Sequence, residues 1–308
     1  MTNSTPPNSA GDNAVVATNL RKQYGAKLAL HDLSLTLPRR GVTAILGANG
    51  AGKTTFIRCV LGLTPATSGT LRVFGERPGS DASRQRTGVM LQDADLPDLL
   101  TAREHLTLFA SYYDNAMSVE DALQLCELEA FADKRYKTLS GGQKRRVQFA
   151  LAVVGQPDLL FLDEPTTGLD SDARRTLWRT VRSLAARGAS IVLTTHYLEE
   201  ADALADAIII LKDGQVLAHA PTPQIRMAVG GAMIRCVTTL DPDACAALDG
   251  ARTARRSGRF MEILCADPAP TLQALFAADP APTELTVAKP GLEDAVADFS
   301  EASLAVSA

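Results

Sequence analysis

The chain has 308 residues, enough for one large domain or two smaller ones with a substantial buried core. Charged residues make up 21% of the chain and the formal net charge is −4, so the chain lacks the basic field that nucleic-acid binding usually requires. Its longest apolar runs, such as Ala207–Leu211, fall far short of the ~20 residues that a membrane-spanning helix needs. We therefore expect a globular soluble protein, with no nucleic-acid partner.

The N-terminal segment, residues 1–13, is composed mainly of Ser, Asn, Thr, Pro and Gly. Because it has neither a basic start nor an apolar centre, we predict a disordered tail rather than a secretory signal. The cysteines are odd in number, widely scattered and without a Cys-x-x-Cys pair, which argues against a zinc site or a disulfide framework. This cysteine pattern favours a reducing cytoplasm.

Short runs with strand composition come first in the chain. Three of them, Ala14–Thr18, Leu28–Leu37 and Val42–Leu46, precede a glycine-rich segment, and Leu71–Phe74 and Gly88–Leu91 follow it. The glycine-rich segment is therefore predicted to connect a strand to a helix.

A predicted helical region follows these strands. Thr101 and Glu104 have the spacing of a capping box, and apolar residues at Leu106, Phe109 and Tyr113 continue a helical period. We expect residues 101–135 to be entirely helical.

The next segments alternate between strand and helix. Leu159–Leu162 and Ile191–Thr194 have the composition of buried strands, and the helical segment Ser171–Arg187 between them ends before Gly188. This alternation predicts a mostly parallel sheet of an α/β fold.

The composition changes near the C-terminus, where Ala, Asp and Pro become frequent from about Pro221. Strand-like runs at Met233–Val237, Phe260–Leu264 and Glu284–Val287 alternate with helical segments. We predict a main domain over residues 14–220 and a small α+β domain over residues 221–308.

The glycine-rich segment Gly47–Thr54 has the pattern Gly-x-x-x-x-Gly-Lys-Thr of a phosphate-binding loop. Glycines allow the backbone to turn sharply, so that its N–H groups approach phosphate without an intervening Cβ. Lys53 is predicted to reach the β- and γ-phosphates, and the Thr54 hydroxyl to bind Mg²⁺. A structural glycine turn is the alternative interpretation. The predicted nucleotide contacts in this segment are Gly47, Asn49, Gly50, Ala51, Gly52, Lys53, Thr54 and Thr55.

Two carboxylates, Asp163 and Glu164, end the apolar run Leu159–Leu162. The carboxyl ends of buried strands are where α/β sheets bind ligands. Asp163 is predicted to support Mg²⁺, and Glu164 to polarise an attacking water as general base. Alone, the pair could equally be an acidic turn before Pro165.

A second candidate anion site is the segment Leu139–Gln143, in which Ser-Gly-Gly opens a predicted helix and offers free N–H groups. Together, the two phosphate binders suggest a nucleotide held from two sides. The chain here resembles the ATP-binding subunits of ABC transporters, whose dimers hold ATP between the phosphate loop of one subunit and the Leu-Ser-Gly-Gly-Gln of the other. The resemblance implies an α/β P-loop NTPase core with a helical subdomain at about residues 93–150.

The resemblance also implies roles for residues elsewhere in the chain. Tyr24 matches an aromatic residue that stacks on adenine, and Gln92 matches a glutamine that contacts Mg²⁺. His196 matches the histidine that contacts the γ-phosphate, and Asp170 matches a loop that crosses the dimer interface. The signature residues implied to contact the partner's ATP are Ser140, Gly141, Gly142 and Gln143. Taken alone, Tyr24 and His196 would more often be structural.

The resemblance further implies two partners, a second copy of the chain and a separately encoded integral membrane permease. The permease is expected to contact residues 93–104, which implies a cytoplasmic protein on the inner face of the membrane. Thr194–Asp202 and Pro290–Asp294 are similar to segments of bacterial ATPases that export drugs, antibiotics or polysaccharides. The resemblance therefore implies export of a drug-like or other small molecule, as in multidrug export or antibiotic resistance, without identifying the compound.

Three alternatives remain open at this stage. A non-transport ABC ATPase would act on ribosomes or DNA, an importer subunit would serve uptake, and a metabolic kinase would leave Leu139–Gln143 without a purpose. The basic run Lys144–Arg146 is interpreted as a solvated helix face rather than a nucleic-acid site.

Overall fold

The computed structural model describes residues 13–92, 94–195, 197–229 and 231–288. The chain divides into two compact units, with the boundary between His219 and Ala220. The predicted tail lies outside the described residues, apart from Asn13, which is the first residue of a strand.

The strands described in the first unit form two sheets. The smaller sheet is antiparallel with strand order β2-β1-β4, and the larger has the order β5-β6-β7-β3-β8-β9. Neighbouring strands from β5 to β8 in the larger sheet are parallel, as the sequence predicted. The bounds are β1 Asn13–Tyr24, β2 Lys27–Pro38, β3 Gly41–Leu46, β4 Ser68–Val73, β5 Thr87–Met90, β6 Leu159–Asp163, β7 Ser190–Thr194, β8 Ala207–Lys212 and β9 Gln215–Pro221.

The helices of this unit include the predicted one that begins after Thr101. Thr101 and Glu104 form the predicted capping box, with each side chain accepting a backbone N–H of the other residue. No helix among the described residues has the length and apolar character needed to cross a membrane. The bounds are α1 Lys53–Val60, α2 Asp81–Gln85, α3 Ala102–Ala110, α4 Val119–Leu125, α5 Gly141–Val153, α6 Ser171–Ala186 and α7 Leu198–Leu204.

The prediction of an uninterrupted helical segment over residues 101–135 is wrong at residues 111–118, which form a loop, and after Leu125, where turns flank the single 3-10 turn Glu129–Phe131. Tyr113 was expected to continue the helical period, but its ring packs closely against the backbone of Gly155. Asp114 and Asn115 are poor helix formers, and Ser118 caps the next helix by accepting the backbone N–H of Asp121.

The parallel strands bring several candidate site residues to one edge of the larger sheet. Every residue of β6 and β7 is buried, which explains their continuous apolar composition. Asp163 pairs with Thr194, and Thr194 pairs with Ile45, so the ends of three neighbouring strands lie in one row. The loops that follow these strands therefore share one edge of the sheet.

The second unit has an antiparallel sheet of order β11-β12-β10-β13, with a core that includes Ile234, Met261, Ile263 and Leu275. The strand β11 was not predicted, because its sequence ARTARRS lacks apolar alternation and most of its residues are exposed. The bounds are α8 Thr222–Val229, β10 Ala232–Val237, α9 Pro242–Ala246, β11 Ala251–Ser257, β12 Phe260–Cys265, α10 Pro268–Ala278 and β13 Thr283–Ala288.

Candidate nucleotide site

The segment from Gly47 to Gly52 connects β3 to α1 and needs glycine at particular positions. Gly47 has a φ of +156°, and a Cβ there would lie 2.3 Å from the carbonyl oxygen of Leu211. Gly52 has a φ of +106°, and a Cβ there would lie 2.8 Å from the carbonyl oxygen of Ala29. The loop conformation is therefore incompatible with larger residues at both positions.

The Lys53 side chain lies over this loop and is 7% exposed. Its Nζ donates to the carbonyl oxygens of Gly47, at 2.6 Å, and Ala48, at 3.2 Å. Burial lowers the pKa of Lys53, and the carboxylates of Glu164 and Asp163 oppose this shift. The loop thus carries a cationic side chain at the N-terminus of α1, where an anion is also favoured by the helix.

Most of the residues predicted to bind the nucleotide on their own chain line a single open pocket. Lys27 and Ala29 also line it and were not predicted, since they follow a turn and carry no motif. Gly47 and Ala51 lie within the loop but do not line the pocket. The predicted residues that line it are Tyr24, Asn49, Gly50, Gly52, Lys53, Thr54, Thr55, Gln92, Asp163 and Glu164.

Tyr24 lies at the outer part of this pocket, with 45% of its surface exposed. The Nζ of Lys22 lies 4.8 Å from the centre of its ring. Tyr24 is therefore partly exposed at a site lined by the phosphate loop, with Lys22 over its ring, rather than packed in the core.

The carboxylate of Asp163 is 2% exposed and is held by two hydroxyl groups. The Thr54 Oγ1 donates to one carboxylate oxygen at 3.3 Å, and the Thr194 Oγ1 donates to the other. Gln92 lines the same pocket as Thr54 and Asp163. Hydroxyl, carboxylate and amide oxygens are the ligands that a hard cation such as Mg²⁺ prefers, so this donor set fits that ion.

Glu164 has an unusual backbone conformation, with a φ of +48°. Its N–H donates to the carbonyl oxygen of Thr194 at 3.0 Å and to the Thr194 Oγ1 at 3.2 Å. The Thr167 hydroxyl donates to its carboxylate at 3.3 Å. Backbone strain of this kind persists only where surrounding contacts hold it, and such residues cluster at functional sites.

The segment Leu139–Gln143 begins α5 and does not line the pocket. Ser140 and Gln143 form a capping box, in which Ser140 Oγ accepts the Gln143 N–H at 3.2 Å and Gln143 Oε1 accepts the Ser140 N–H at 2.9 Å. Among the described residues, a Cβ at Gly141 would meet no atom within 4 Å, and one at Gly142 would make only an ordinary contact with Leu169. The two segments predicted to bind phosphate therefore do not line the same pocket within one chain.

Asp170 and His196 are the two other predicted site residues. Asp170 caps α6, because its Oδ1 accepts the N–H of Ala173 at 2.8 Å, and it follows Gly168. His196 lies outside the described residues, as do Asp93 and the segment Pro290–Asp294.

The basic run after Gln143 is not a solvated face, and that interpretation is wrong most clearly for Arg145. Arg145 is 8% exposed, and its guanidinium reaches the carbonyl groups of Asp163 and Glu164. A signal was available, because Arg145, Phe149 and Ala152 have the spacing of one buried helix face. Sequence reasoning instead gave more weight to the three adjacent charges.

Known proteins resemble most of this chain. The family model described as ABC transporter matches residues 30–167. A Nod factor export ATP-binding protein I of Burkholderia lata is 42% identical over 220 residues, which cover 69% of this chain and 72% of that protein. Its counterpart in Paraburkholderia xenovorans is 40% identical over 225 residues, which cover 70% of this chain and 74% of that protein.

Solved structures agree with this assignment. The ATP-binding subunit of an ABC transporter has a TM-score of 0.65 and 30% identity, over 70% of this chain and 92% of that one. A bacterial ABC transporter cassette, solved as a dimer and also bound to ADP and Pi, has a TM-score of 0.62 and 28% identity, over 67% of this chain and 98% of that one. The predicted P-loop NTPase fold is confirmed. The chain therefore belongs to the ATP-binding subunits of ABC transporters, and its activity is that of an ATPase.

Proposed function

We propose that two copies of this chain enclose two ATP molecules, and that ATP hydrolysis by this dimer drives export through a separately encoded membrane permease. The relatives named above are export ATP-binding proteins, and a cassette of similar fold has been solved as a dimer. Both half-sites are present in one sequence, so a homodimer suffices.

The observation that carries this proposal is the separation of the two phosphate-binding segments. The phosphate loop lines a pocket with Tyr24, Asp163 and Glu164, whereas among the described residues a Cβ at Gly141 would meet nothing within 4 Å and one at Gly142 only the Leu169 side chain, at 3.6 Å. Neither a positive φ nor close packing within the chain requires glycine at 141 or 142. A closely approaching group on another molecule accounts for both glycines.

In the proposed dimer, each ATP lies on the phosphate loop of one chain, with Tyr24 against the base and Lys53 at the phosphates. Thr54, Gln92 and Asp163 would hold Mg²⁺, which offsets phosphate charge when it is bound. The helix start of the second copy, at Ser140 and its neighbours Gly141, Gly142 and Gln143, would approach the γ-phosphate.

The carboxylate of Glu164 is proposed to accept the proton of the attacking water. It lines the same pocket as Lys53 and lies directly after the strand that ends in Asp163. A general base must lie within hydrogen-bond reach of the proton it accepts, and a rigid backbone position favours this. His196 and Asp170 keep their proposed roles at the γ-phosphate and at the dimer interface.

The proposed direction of transport rests on the relatives' names, which specify export of Nod factor. Those names give no support to the expected drug-like substrate, so the proposal specifies export without a cargo. A permease partner implies that the chain lies at the inner face of the membrane. Exposed apolar side chains at Leu99, Leu108 and Tyr112, which are 66%, 40% and 60% exposed, supply a surface suited to such a partner.

The role of Glu164 is tested with Glu164→Gln. We expect ATP binding to remain and hydrolysis to fall by roughly 10²- to 10⁴-fold, because the base is lost while the pocket keeps its shape. Light scattering should then detect a dimer that depends on ATP. The matched control is Glu129→Gln, an exposed carboxylate outside the pocket, which should hydrolyse ATP at the wild-type rate. Full hydrolysis by Glu164→Gln would contradict the assigned role.

The permease is tested by capturing tagged Glu164→Gln protein from detergent-solubilised cells, with and without ATP, and identifying its partners by mass spectrometry. Recovery of a polytopic membrane protein is expected. Leu99→Asp in the same background should reduce this recovery while leaving ATP binding unchanged, because it charges the exposed apolar surface. Recovery of ribosomes or DNA-bound proteins instead would overturn the transport proposal and leave the ATPase assignment intact.

A further inference from the structure

Arg145 lies in α5, five residues after Ser140, and its buried guanidinium reaches the backbone of two loops at the pocket. Its Nη1 donates to the carbonyl oxygens of Leu91, at 3.0 Å, and Gln92, at 3.1 Å. Its Nη2 donates to the carbonyl oxygens of Asp163, at 2.8 Å, and Glu164, at 2.7 Å. One side chain thus contacts the loops that supply three of the proposed site residues.

This arrangement suits the geometry of arginine. The guanidinium is planar and has donors at two separate nitrogens, so each can bind a pair of adjacent carbonyl groups. The two pairs lie at the carboxyl ends of the neighbouring strands β5 and β6, where Met90 pairs with Leu162. Gln148 Oε1 accepts a further hydrogen bond from Nη1 at 3.1 Å. A buried charge is costly without such bonds, so the network fixes the position of Arg145.

The contact with Glu164 acts on the strained residue of the site. The N–H of Glu164 is bound to Thr194, and its carbonyl oxygen is bound to Arg145, so both of its peptide groups are held. A left-handed conformation is unfavourable for a residue such as Glu, and it relaxes when the surrounding contacts are removed. Relaxation there would redirect the Glu164 carboxylate.

We propose that Arg145 is a positioning residue for ATP hydrolysis. It holds the backbone at Gln92 and Glu164 in register with each other and with α5, the helix that begins at Ser140. This inference rests on the proposed role of Glu164 as general base. Arg145 acts through the backbone, since it is not among the residues that line the pocket.

The position of Arg145 determines whether its loss should change kcat or the affinity for ATP. ATP binding depends on the phosphate loop and Lys53, whose Nζ donates to the carbonyl oxygens of Gly47 and Ala48, and these residues lie in the loop before α1 and not in α5. The catalytic step depends on where the Glu164 carboxylate lies, and a displacement of about 1 Å can cost on the order of 10²-fold in rate. Loss of Arg145 should therefore lower kcat without weakening ATP binding.

The test compares Arg145→Gln and Arg145→Lys with the wild type. We expect kcat to fall on the order of 10²-fold in both variants, with the Kd for a fluorescent ATP analogue unchanged. Lysine keeps the charge but has one nitrogen, so it cannot bind both pairs of carbonyl groups. In Arg145→Ala, added guanidinium should restore part of the activity at concentrations far below those that unfold the protein, and methylammonium should not.

Arg146→Gln is the matched control, because it makes the same change one residue further along the same helix. Arg146 donates to the carbonyl oxygen of Glu127 at 3.1 Å and lies 3.8 Å from its carboxylate, away from the pocket. Its kcat should remain at the wild-type value. Circular dichroism and thermal unfolding give the folded fraction of each variant, so that rates are compared per folded protein.

Two results would overturn the inference: a wild-type kcat in folded Arg145→Gln, or a loss of rate that equals the loss of ATP binding. If Arg145→Gln does not fold, Arg145→Lys decides by the same criteria. Failure of the proposed function is distinguishable, since it would appear as full hydrolysis by Glu164→Gln. If Glu164→Gln is inactive while Arg145→Gln is fully active, only the positioning inference fails.

Discussion

The phosphate loop and the start of α5 are both glycine-rich segments at a helix N-terminus, yet the chain needs glycine in only one of them. At Gly47, a Cβ would collide with the Leu211 carbonyl, and φ is positive. At Gly141, a Cβ would meet no atom within 4 Å in the part of the chain that the structure describes, and φ is not positive. The fold therefore accounts for the glycine at 47 and not for the glycine at 141.

This difference shows that glycine can be required at a position for two different reasons. A glycine fixed by its own fold is explained by strain and packing, which are visible in one chain. A glycine in open space is explained only by something that approaches from outside. The second reason supports the proposed partner copy, and it can be tested by separating effects on stability from effects on activity.

The largest contrast is expected between Gly47→Ala and Gly141→Ala. We expect Gly47→Ala to lower the free energy of unfolding by about 3 kcal/mol or more, because a Cβ at 2.3 Å from a backbone oxygen forces the loop to move. Gly141→Ala should change it by less than about 1 kcal/mol, since alanine is a good helix former. Urea unfolding measures both values.

At Gly141, the substitution should lower ATP hydrolysis strongly although it changes the free energy of unfolding little. A methyl group at the surface proposed to meet the second copy's ATP should reduce hydrolysis on the order of 10²-fold in a stably folded protein. ATP binding to the monomer should remain, because the phosphate loop is unaffected. A fully active Gly141→Ala protein would remove the reason to assign that glycine to a partner.

The capping residues Thr101 and Ser140 should differ less than the two glycines do, and they are better matched because both cap a helix in the same way. Thr101 and Ser140 each cap a helix through the N–H of the third helical residue, so Thr101→Ala and Ser140→Ala should each cost about 1 kcal/mol in the free energy of unfolding. Only Ser140→Ala should lower ATP hydrolysis, by about tenfold, because its hydroxyl is also proposed to meet phosphate. Thermal unfolding and a steady-state ATPase assay measure the two effects.

Equal stability losses with unequal activities would support a role for Ser140 beyond capping. If Thr101→Ala and Ser140→Ala lose equal stability and also equal ATP hydrolysis, Ser140 acts only through the stability of α5. Thr101 is a suitable reference because its capping box is complete, with Glu104 returning the second hydrogen bond.

The sequence predicted those features whose causes are local. The phosphate loop, the strands before Asp163 and after Gly188, and the capping box at Thr101 each follow from spacing and side-chain type within a short segment. The order of strands in the larger sheet could not be derived in this way, because it depends on which strands pair across the fold.

Features with long-range causes were missed or misjudged. The burial of Arg145 depends on carbonyl groups more than fifty residues away at Leu91 and Gln92. The strand β11 forms because β12 pairs with it, despite a polar sequence. The loop at residues 111–118 depends on the packing of Tyr113 against Gly155. In each case tertiary contacts overrode a local pattern.

Glu200 is a charged side chain whose burial lowers the stability of the fold, in contrast to the glycines and caps above. It is 1% exposed, and burial raises its pKa above the ordinary 4.5, while a hydrogen bond from Trp178 and the charge of Arg174 oppose that shift. Trp178 Nε1 donates to one carboxylate oxygen at 3.3 Å, and the other oxygen is buried without a hydrogen-bond partner among the described residues.

The smallest predicted effect is that of Glu200→Gln, which should raise the free energy of unfolding at neutral pH on the order of 1 kcal/mol. The folded protein binds more protons than the unfolded chain between pH 4.5 and the raised folded-state pKa, so stability falls as pH rises through this window. Below pH 4.5 glutamate is protonated in both states, and the two proteins should converge. Urea unfolding at neutral pH and at a pH below 4.5 measures this difference, and a constant difference at both pH values would assign the effect to packing instead of charge.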